Sequence, residues 1–316
     1  MKNIPLFITV LLLPFLSFAQ TGNQEIKLDF HQLIVQGLSD ESILVPQLYP
    51  LRVKKIEIEE SKYVEYAEKG SPFGQPVIFL HGLSDSWHSF EKVLPLLPDD
   101  YHALALSQRG HGASSKNFQS FEPKDFAKDI AVFMQKLNIP SAIIVGHSMG
   151  GVIAQQFAIK YPELVNALVI VDSDASWKDN PGAGEFFEMA MQLKEPISKE
   201  FIDAFQKSTI VKPVDAVYYT TLLQESLQVP ARVFKGALKG MNTVNFLPLL
   251  PQVRVPVLLL WGDKDSVCQL SDQQKMLAAF KDAKLIVYPA TGHALHWEEP
   301  QRFTSDLVRF FKQINQ

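Results

Sequence analysis

Ser141-Ala-Ile-Ile-Val-Gly-His-Ser-Met-Gly-Gly-Val-Ile-Ala-Gln-Gln-Phe-Ala-Ile-Lys160 is the stretch on which the fold turns. Its first five residues read as a buried strand, and Gly151 to Lys160 follow a helical pattern. Between them lies Gly146-His147-Ser148-Met149-Gly150. A strand, Gly-x-Ser-x-Gly and a helix, in that order, describe a nucleophile elbow. The serine sits on a turn tight enough to strain its backbone. The flanking positions must be small so that strand and helix can approach. The hydroxyl is thereby presented at the top of a sheet, beside the positive end of a helix dipole.

Working outward, the partners of such a serine follow it as an acid and then a histidine. Val255-Pro-Val-Leu-Leu-Leu-Trp-Gly262 reads as a strand, and Asp263-Lys264-Asp265-Ser266 follows it. Ala283-Lys-Leu-Ile-Val-Tyr-Pro289 reads as another, running into Ala290-Thr-Gly-His293. Each partner thus falls just past the C-terminal end of a strand, where ligand sites of open α/β sheets gather. A serine hydroxyl is a poor nucleophile until a base takes its proton. His293 is the expected base, and later the acid for the leaving group. Asp265 is expected to hold the imidazole tautomer and stabilise the imidazolium. A developing oxyanion needs two backbone donors. Met149, next after the nucleophile, supplies one. Leu83, in the loop His81-Gly82-Leu83-Ser84 after the strand Gln75-Pro-Val-Ile-Phe-Leu80, supplies the other.

Over residues 52 to 316 the chain resembles the α/β-hydrolase superfamily, in the single-domain branch with a helical cap that includes epoxide hydrolases, esterases and carbon–carbon bond hydrolases. The resemblance is carried by His81-Gly82, Arg109-Gly-His-Gly-Ala-Ser114, Gly146-His-Ser-Met-Gly-Gly151, Trp261-Gly-Asp-Lys-Asp265 and Gly292-His293. It favours Asp265 over Asp263 as the acid, by the family's Gly-x-x-Asp pattern. Asp172 and Asp174 stand where some relatives place the acid instead. Epoxide hydrolases and haloalkane dehalogenases carry Asp at the elbow and form an alkyl-enzyme ester. Ser148 at that position implies acyl transfer.

The expected architecture is an α/β fold, a mostly parallel central sheet flanked by helices. Lys54–Glu59 and Lys62–Ala67 alternate polar and apolar residues and read as an antiparallel edge pair. Further strands are expected at Val77–Leu80, His102–Leu106 and Ala167–Val171. Helices are expected around Ser86–Leu97, at Asp125–Leu137 and at Pro300–Ile314. After Asp174 the strand rhythm stops. Phe186–Leu193, Lys199–Lys207, Val214–Leu227 and Ala231–Leu238 look helical, punctuated by Pro196, Pro213 and Pro230. The reading is a core of residues 51–174 and 253–316 with a helical cap at 175–252. Most of the cap's Phe, Tyr and Met side chains pack it together, and some are expected to line an apolar pocket.

Residues 1–19 read as a secretory signal: Lys2, then a largely apolar run, then Ser17-Phe18-Ala19 as the cleavage site. Two prolines and the short run argue against a membrane anchor. The mature protein is expected to be periplasmic or secreted, with residues 20–50 as an N-terminal extension. With a net charge of −4, nothing in the composition is basic enough to suggest a nucleic-acid partner. Cys268 is the single cysteine, so no intramolecular disulfide forms. No set of residues has metal-ligand spacing and no phosphate-loop pattern occurs, so no metal or cofactor is expected. His81, Arg109, His111, His147 and His296 read as structural. The implied reaction is hydrolysis of a small apolar ester through an acyl-enzyme. Carbon–carbon, lactone or amide hydrolysis and peracid formation use the same three residues, and a low-turnover binding module shares the fold.

Overall fold

The computed structural model describes residues 49–177 and 181–314. The expected signal segment, and the extension up to residue 48, lie outside the described residues. The strands are β1 (Arg52–Glu59), β2 (Lys62–Lys69), β3 (Gln75–Leu80), β4 (Tyr101–Ser107), β5 (Ala142–His147), β6 (Val165–Val171), β7 (Val257–Gly262) and β8 (Ala283–Tyr288). They form one sheet in the order β1-β2-β4-β3-β5-β6-β7-β8. β2 pairs antiparallel with both β1 and β4. From β4 to β8 every pairing is parallel.

The helices are α1 (Pro123–Lys136), α2 (Met149–Lys160), α3 (Pro181–Met191), α4 (Lys199–Ser208), α5 (Ala216–Leu227), α6 (Ala231–Met241), α7 (Leu270–Ala279), the short α8 (Leu295–Glu298) and α9 (Pro300–Ile314). The central strands are apolar throughout because both faces of the sheet are covered. Successive residues go to opposite sides. Ile78, Leu80, Ile144 and Leu259 join the layer that holds Phe133 of α1 and Phe157 of α2. Val77, Phe79, Val145 and Leu258 join the layer that holds Phe303, Leu307 and Phe311 of α9.

α3 to α6 stand between β6 and β7. Ser198 caps α4 by accepting from the Phe201 amide, and Asp215 caps α5 by accepting from that of Tyr218. One sequence expectation fails locally, and one helix is unanticipated. The stretch Ser86–Leu97 forms no α-helix. It holds two 3₁₀ turns, Trp87–Phe90 and Leu94–Leu96, because Pro95 lacks the amide a longer helix needs there. α7 lies outside the expected helices: its apolar face is narrow, with Gln273 and Met276 as its buried residues.

The sheet grows in one direction from β3 to β4, then in the other from β3 to β5. That change of direction is a topological switch point, where a crevice opens at the C-terminal ends of the strands.

Candidate active site

Ser148 occupies the turn between β5 and α2 with φ 52° and ψ −117°. A non-glycine residue there is strained. The surroundings hold it: the Ser148 amide donates to the Val171 carbonyl at 3.0 Å, and Ser173 Oγ donates to the Ser148 carbonyl at 2.7 Å. The two elbow glycines are required by close approach. A Cβ on Gly146 would lie 2.2 Å from the Gly150 carbonyl oxygen. One on Gly150 would lie 2.1 Å from that of Leu80.

The loops after β5, β7 and β8 bring Ser148, Asp265 and His293 together. His293 Nδ1 donates to Asp265 Oδ2 at 2.9 Å. The same ring presents Nε2 to Ser148 Oγ, also at 2.9 Å. With Nδ1 protonated toward a carboxylate, Nε2 carries the lone pair and the serine hydroxyl is the donor. All three side chains are buried. Asp265 Oδ1 is itself fixed by the amides of Val267 (2.7 Å) and Cys268 (3.0 Å).

Two further amides complete the arrangement. Those of Leu83 and Met149 donate to no acceptor among the described residues. Leu83 lines a cavity of about 190 Å³ together with Ser148 and His293. The rest of the wall is mostly apolar, including Trp177, Phe186, Phe205 and Met241 from the segment between β6 and β7.

That segment is tied to the histidine loop. Glu298 Oε1 accepts from the amides of Val211 (2.8 Å) and Gly292 (3.0 Å), and Oε2 accepts from that of Lys212 (3.1 Å). Lys212 Nζ reaches Thr291 Oγ1 at 2.8 Å and pairs with Glu299.

The other polar residues brace. His81 Nδ1 donates to the Gly82 carbonyl and Nε2 accepts from the Gln108 amide, and burial pushes this ring down to about 3. Arg109 makes two 2.6 Å bonds to Asp129. His296 meets Ser89 Oγ. Asp263 Oδ1 accepts from the Ala290 amide, away from the histidine ring. Asp172 Oδ1 accepts from the Gly262 amide. Burial, and then the nearby Asp265, push the Asp172 carboxyl well above its ordinary value. His147 supports the loop of His293 rather than its own turn: its Nε2 donates to the His293 carbonyl at 2.9 Å. Its ring is kept neutral by burial and the neighbouring histidines. The donor atoms of Asp265, Cys268 and His293 lie within 4.8 Å of one another, but Asp265 and His293 engage each other and Cys268 Sγ donates to the Asp172 carbonyl.

One residue beside the nucleophile escaped the sequence reading. Asp85 is buried four residues beyond His81, and burial pushes its carboxyl up to about 7. Its partner Gln206 comes from α4, which sequence spacing cannot pair with it. The signal available was a lone acid inside a loop of small and apolar residues.

Residues 75–300 match the family model described as alpha/beta hydrolase fold. Lipase 1 of Psychrobacter immobilis is 25% identical over 275 residues, covering 84% of this chain and 85% of that protein. The 2-(acetamidomethylene)succinate hydrolase of Mesorhizobium japonicum is 26% identical, covering 77% and 89%. Among solved structures, an esterase from a Rhodococcus species superposes with a TM-score of 0.74 at 23% identity, covering 83% of this chain and 99% of that one.

Proposed function

The chain belongs to the α/β-hydrolase fold family and is an enzyme of the hydrolase class; on that premise we propose that it is a serine hydrolase of small apolar carboxylic esters. The observation that carries this reading is the unbroken run of 2.9 Å hydrogen bonds from Asp265 through His293 to Ser148, opening on an apolar cavity. Ser148 Oγ attacks the ester carbon as His293 Nε2 takes its proton. The amides of Leu83 and Met149 receive the oxyanion, and the absence of competing protein acceptors among the described residues supports that role. Asp265 holds the ring and stabilises the imidazolium. The alcohol departs with the proton from His293, and water, activated by the same nitrogen, releases the acid.

The cavity volume favours a modest acyl group. A space of about 190 Å³ is of the order of one that holds benzene, roughly 150 Å³. Residues 175–252 act as the cap that closes this cavity and gives it its aromatic wall. The names of two relatives, Lipase 1 and 2-(acetamidomethylene)succinate hydrolase, agree with hydrolysis and leave the bond cleaved to experiment.

The test is a panel of aryl esters, lactones, amides and diketones, run on the wild type and on Ser148→Ala. Ester turnover should dominate, and the variant should lose it while keeping its fold. A fluorophosphonate probe should label Ser148. Retained turnover in Ser148→Ala rejects the reading. Export is part of the same proposal: mass spectrometry of the purified protein should find a chain beginning near Gln20.

A further inference from the structure

Two cavities of different size meet at Ser148 and His293. One is the apolar cavity. The other is a chamber of about 20 Å³ bounded by Gly82, Asp85, His147, Gln206 and Trp297. A water needs roughly 10–15 Å³ on this scale, so the chamber has room for one water and for little else.

Its polar wall includes two acceptors, on Asp85 and His147. Asp85 is 3% exposed. Its Oδ1 accepts from Gln206 Nε2 at 2.9 Å, and its Oδ2 has a long 3.5 Å contact with Ser89 Oγ. His147 is 2% exposed. Because its Nε2 donates to the His293 carbonyl, its Nδ1 carries a lone pair, and that atom has no hydrogen-bond partner among the described residues. A buried acceptor left without a donor is costly. A Cβ on Gly82 would lie 3.0 Å from both Asp85 Oδ2 and His147 Nδ1. Position 82 must therefore be glycine for Asp85 and His147 to approach the loop backbone together at the edge of the chamber.

We propose that this chamber binds the water that hydrolyses the acyl-enzyme, held by Asp85 and His147 beside His293. The inference rests on Ser148 carrying the acyl group. A water has two O–H groups, and the chamber offers it the unpartnered His147 Nδ1 and the Asp85 carboxyl. One O–H is anchored on Asp85 or His147 and the other is directed to His293 Nε2. The water oxygen bonds to the acyl carbon as its proton passes to His293 Nε2. The tetrahedral intermediate then collapses, the bond from acyl carbon to Ser148 Oγ breaks, and His293 returns the proton to Oγ. The carboxylic acid is the product. The acyl chain and the nucleophile thus occupy separate spaces, and the smaller excludes alcohols by size.

The experiment is stopped-flow hydrolysis of 4-nitrophenyl acetate combined with intact-protein mass spectrometry. In Asp85→Asn the burst of nitrophenol should stay within about three-fold of wild type, while deacylation slows about ten-fold or more and acetylated Ser148 accumulates. Ser226→Ala removes the 2.6 Å bond that ties the Gln206–Asp85 link to α5 but leaves the chamber wall and the carboxylate in place, and should leave deacylation within about three-fold. Equal slowing in both variants would make Asp85 a strut and overturn the inference, as would unchanged deacylation in Asp85→Asn. The wild type gives a readout independent of any variant. With methanol present, hydrolysis should exceed methanolysis per mole of nucleophile by about ten-fold. Equal partition refutes a chamber sized for water. Absence of any acetyl adduct on wild-type Ser148 removes the serine-hydrolase reading itself, and this inference with it.

Discussion

Replacing Asp265 with Asn should lower kcat/KM on an aryl ester by about 10⁴-fold while leaving the protein folded. The magnitude follows from the way the carboxylate is held. Its Oδ1 accepts from two backbone amides, at 2.7 and 3.0 Å. In Asn only the amide oxygen can take that place, so the NH₂ must face His293 Nδ1, now 2.9 Å from Oδ2. Two donors cannot share that contact. The ring must shift its proton to Nε2, which then points an N–H at Ser148 Oγ. The serine loses its base outright. A 10⁴-fold loss corresponds to about 5.5 kcal/mol at 1.36 kcal/mol per decade. Weakening one neutral hydrogen bond would account for only about 1 kcal/mol, or roughly five-fold. The two accounts are therefore separable by size alone. The assay is kcat/KM for 4-nitrophenyl acetate, with circular dichroism and thermal melting of the same samples. Activity within about ten-fold of wild type would show that Asp265 does not set the tautomer, and the relay would lose its third member.

Asp174→Asn should change stability in a pH-dependent way. Burial first, then nearby acids, push the Asp174 carboxyl from 3.8 up to about 7. Between those pH values the folded state keeps a proton that the unfolded chain has released, so wild-type stability falls as pH rises through that window. By pH 8 the penalty is roughly 4 kcal/mol at 1.36 kcal/mol per pH unit. Urea denaturation should show the Asp174→Asn variant more stable than wild type at pH 8 and nearly equal to it at pH 4; the same difference at both would contradict the assignment. Phe205→Ala should lengthen the cavity where Phe205 stacks on Phe186, with ring centroids 5.2 Å apart. The ratio of kcat/KM for 4-nitrophenyl octanoate to that for the acetate should rise. Glu298→Gln should lower kcat more than it changes KM and speed proteolysis near residues 209–212, because three amides lose a charged acceptor, each worth about 1.5–3 kcal/mol.

Much of this arrangement is legible in the chain because it follows from local rules. The central strands announce themselves as apolar runs, and each run ends at the residue type the crevice needs: Gly82 after β3, Ser148 after β5, Asp265 after β7 and His293 after β8. What was not legible depends on contacts between distant segments. Asp85 meets Gln206 across 121 positions, and Glu298 meets Val211 across 87. No periodicity links such pairs. The stretch after β3 departs from expectation for a different reason. Trp87, Phe90 and Leu94 are buried at helix-like intervals, so the spacing is helical, but proline at 95 stops the turn from propagating. α7 is hard to see in the sequence because helices with little apolar face give little periodic signal.

Several of the strained backbone positions and buried ionisable groups lie at the C-terminal ends of the parallel strands, and Asp172 is among them. Ser84, Ser148 and Asp172 all have positive φ, at 66°, 52° and 43°, and all follow the C-terminal end of a parallel strand. Strain of this kind persists only where its surroundings over-determine it. Asp172 adds a cost of its own, since its carboxyl is fully buried and Oδ2 has no hydrogen-bond partner among the described residues. Its return lies in Oδ1, which binds the Gly262 amide at 2.8 Å at the last residue of β7. Its own amide donates to the Leu260 carbonyl at 2.9 Å. Both bonds fix the end of β7 against β6, three to five residues before Asp265. Asp172 therefore braces the strand end from which the loop carrying Asp265 departs. An apolar residue at 172 would remove the buried carboxyl but leave the Gly262 amide without its acceptor, while the main-chain bond to Leu260 would remain.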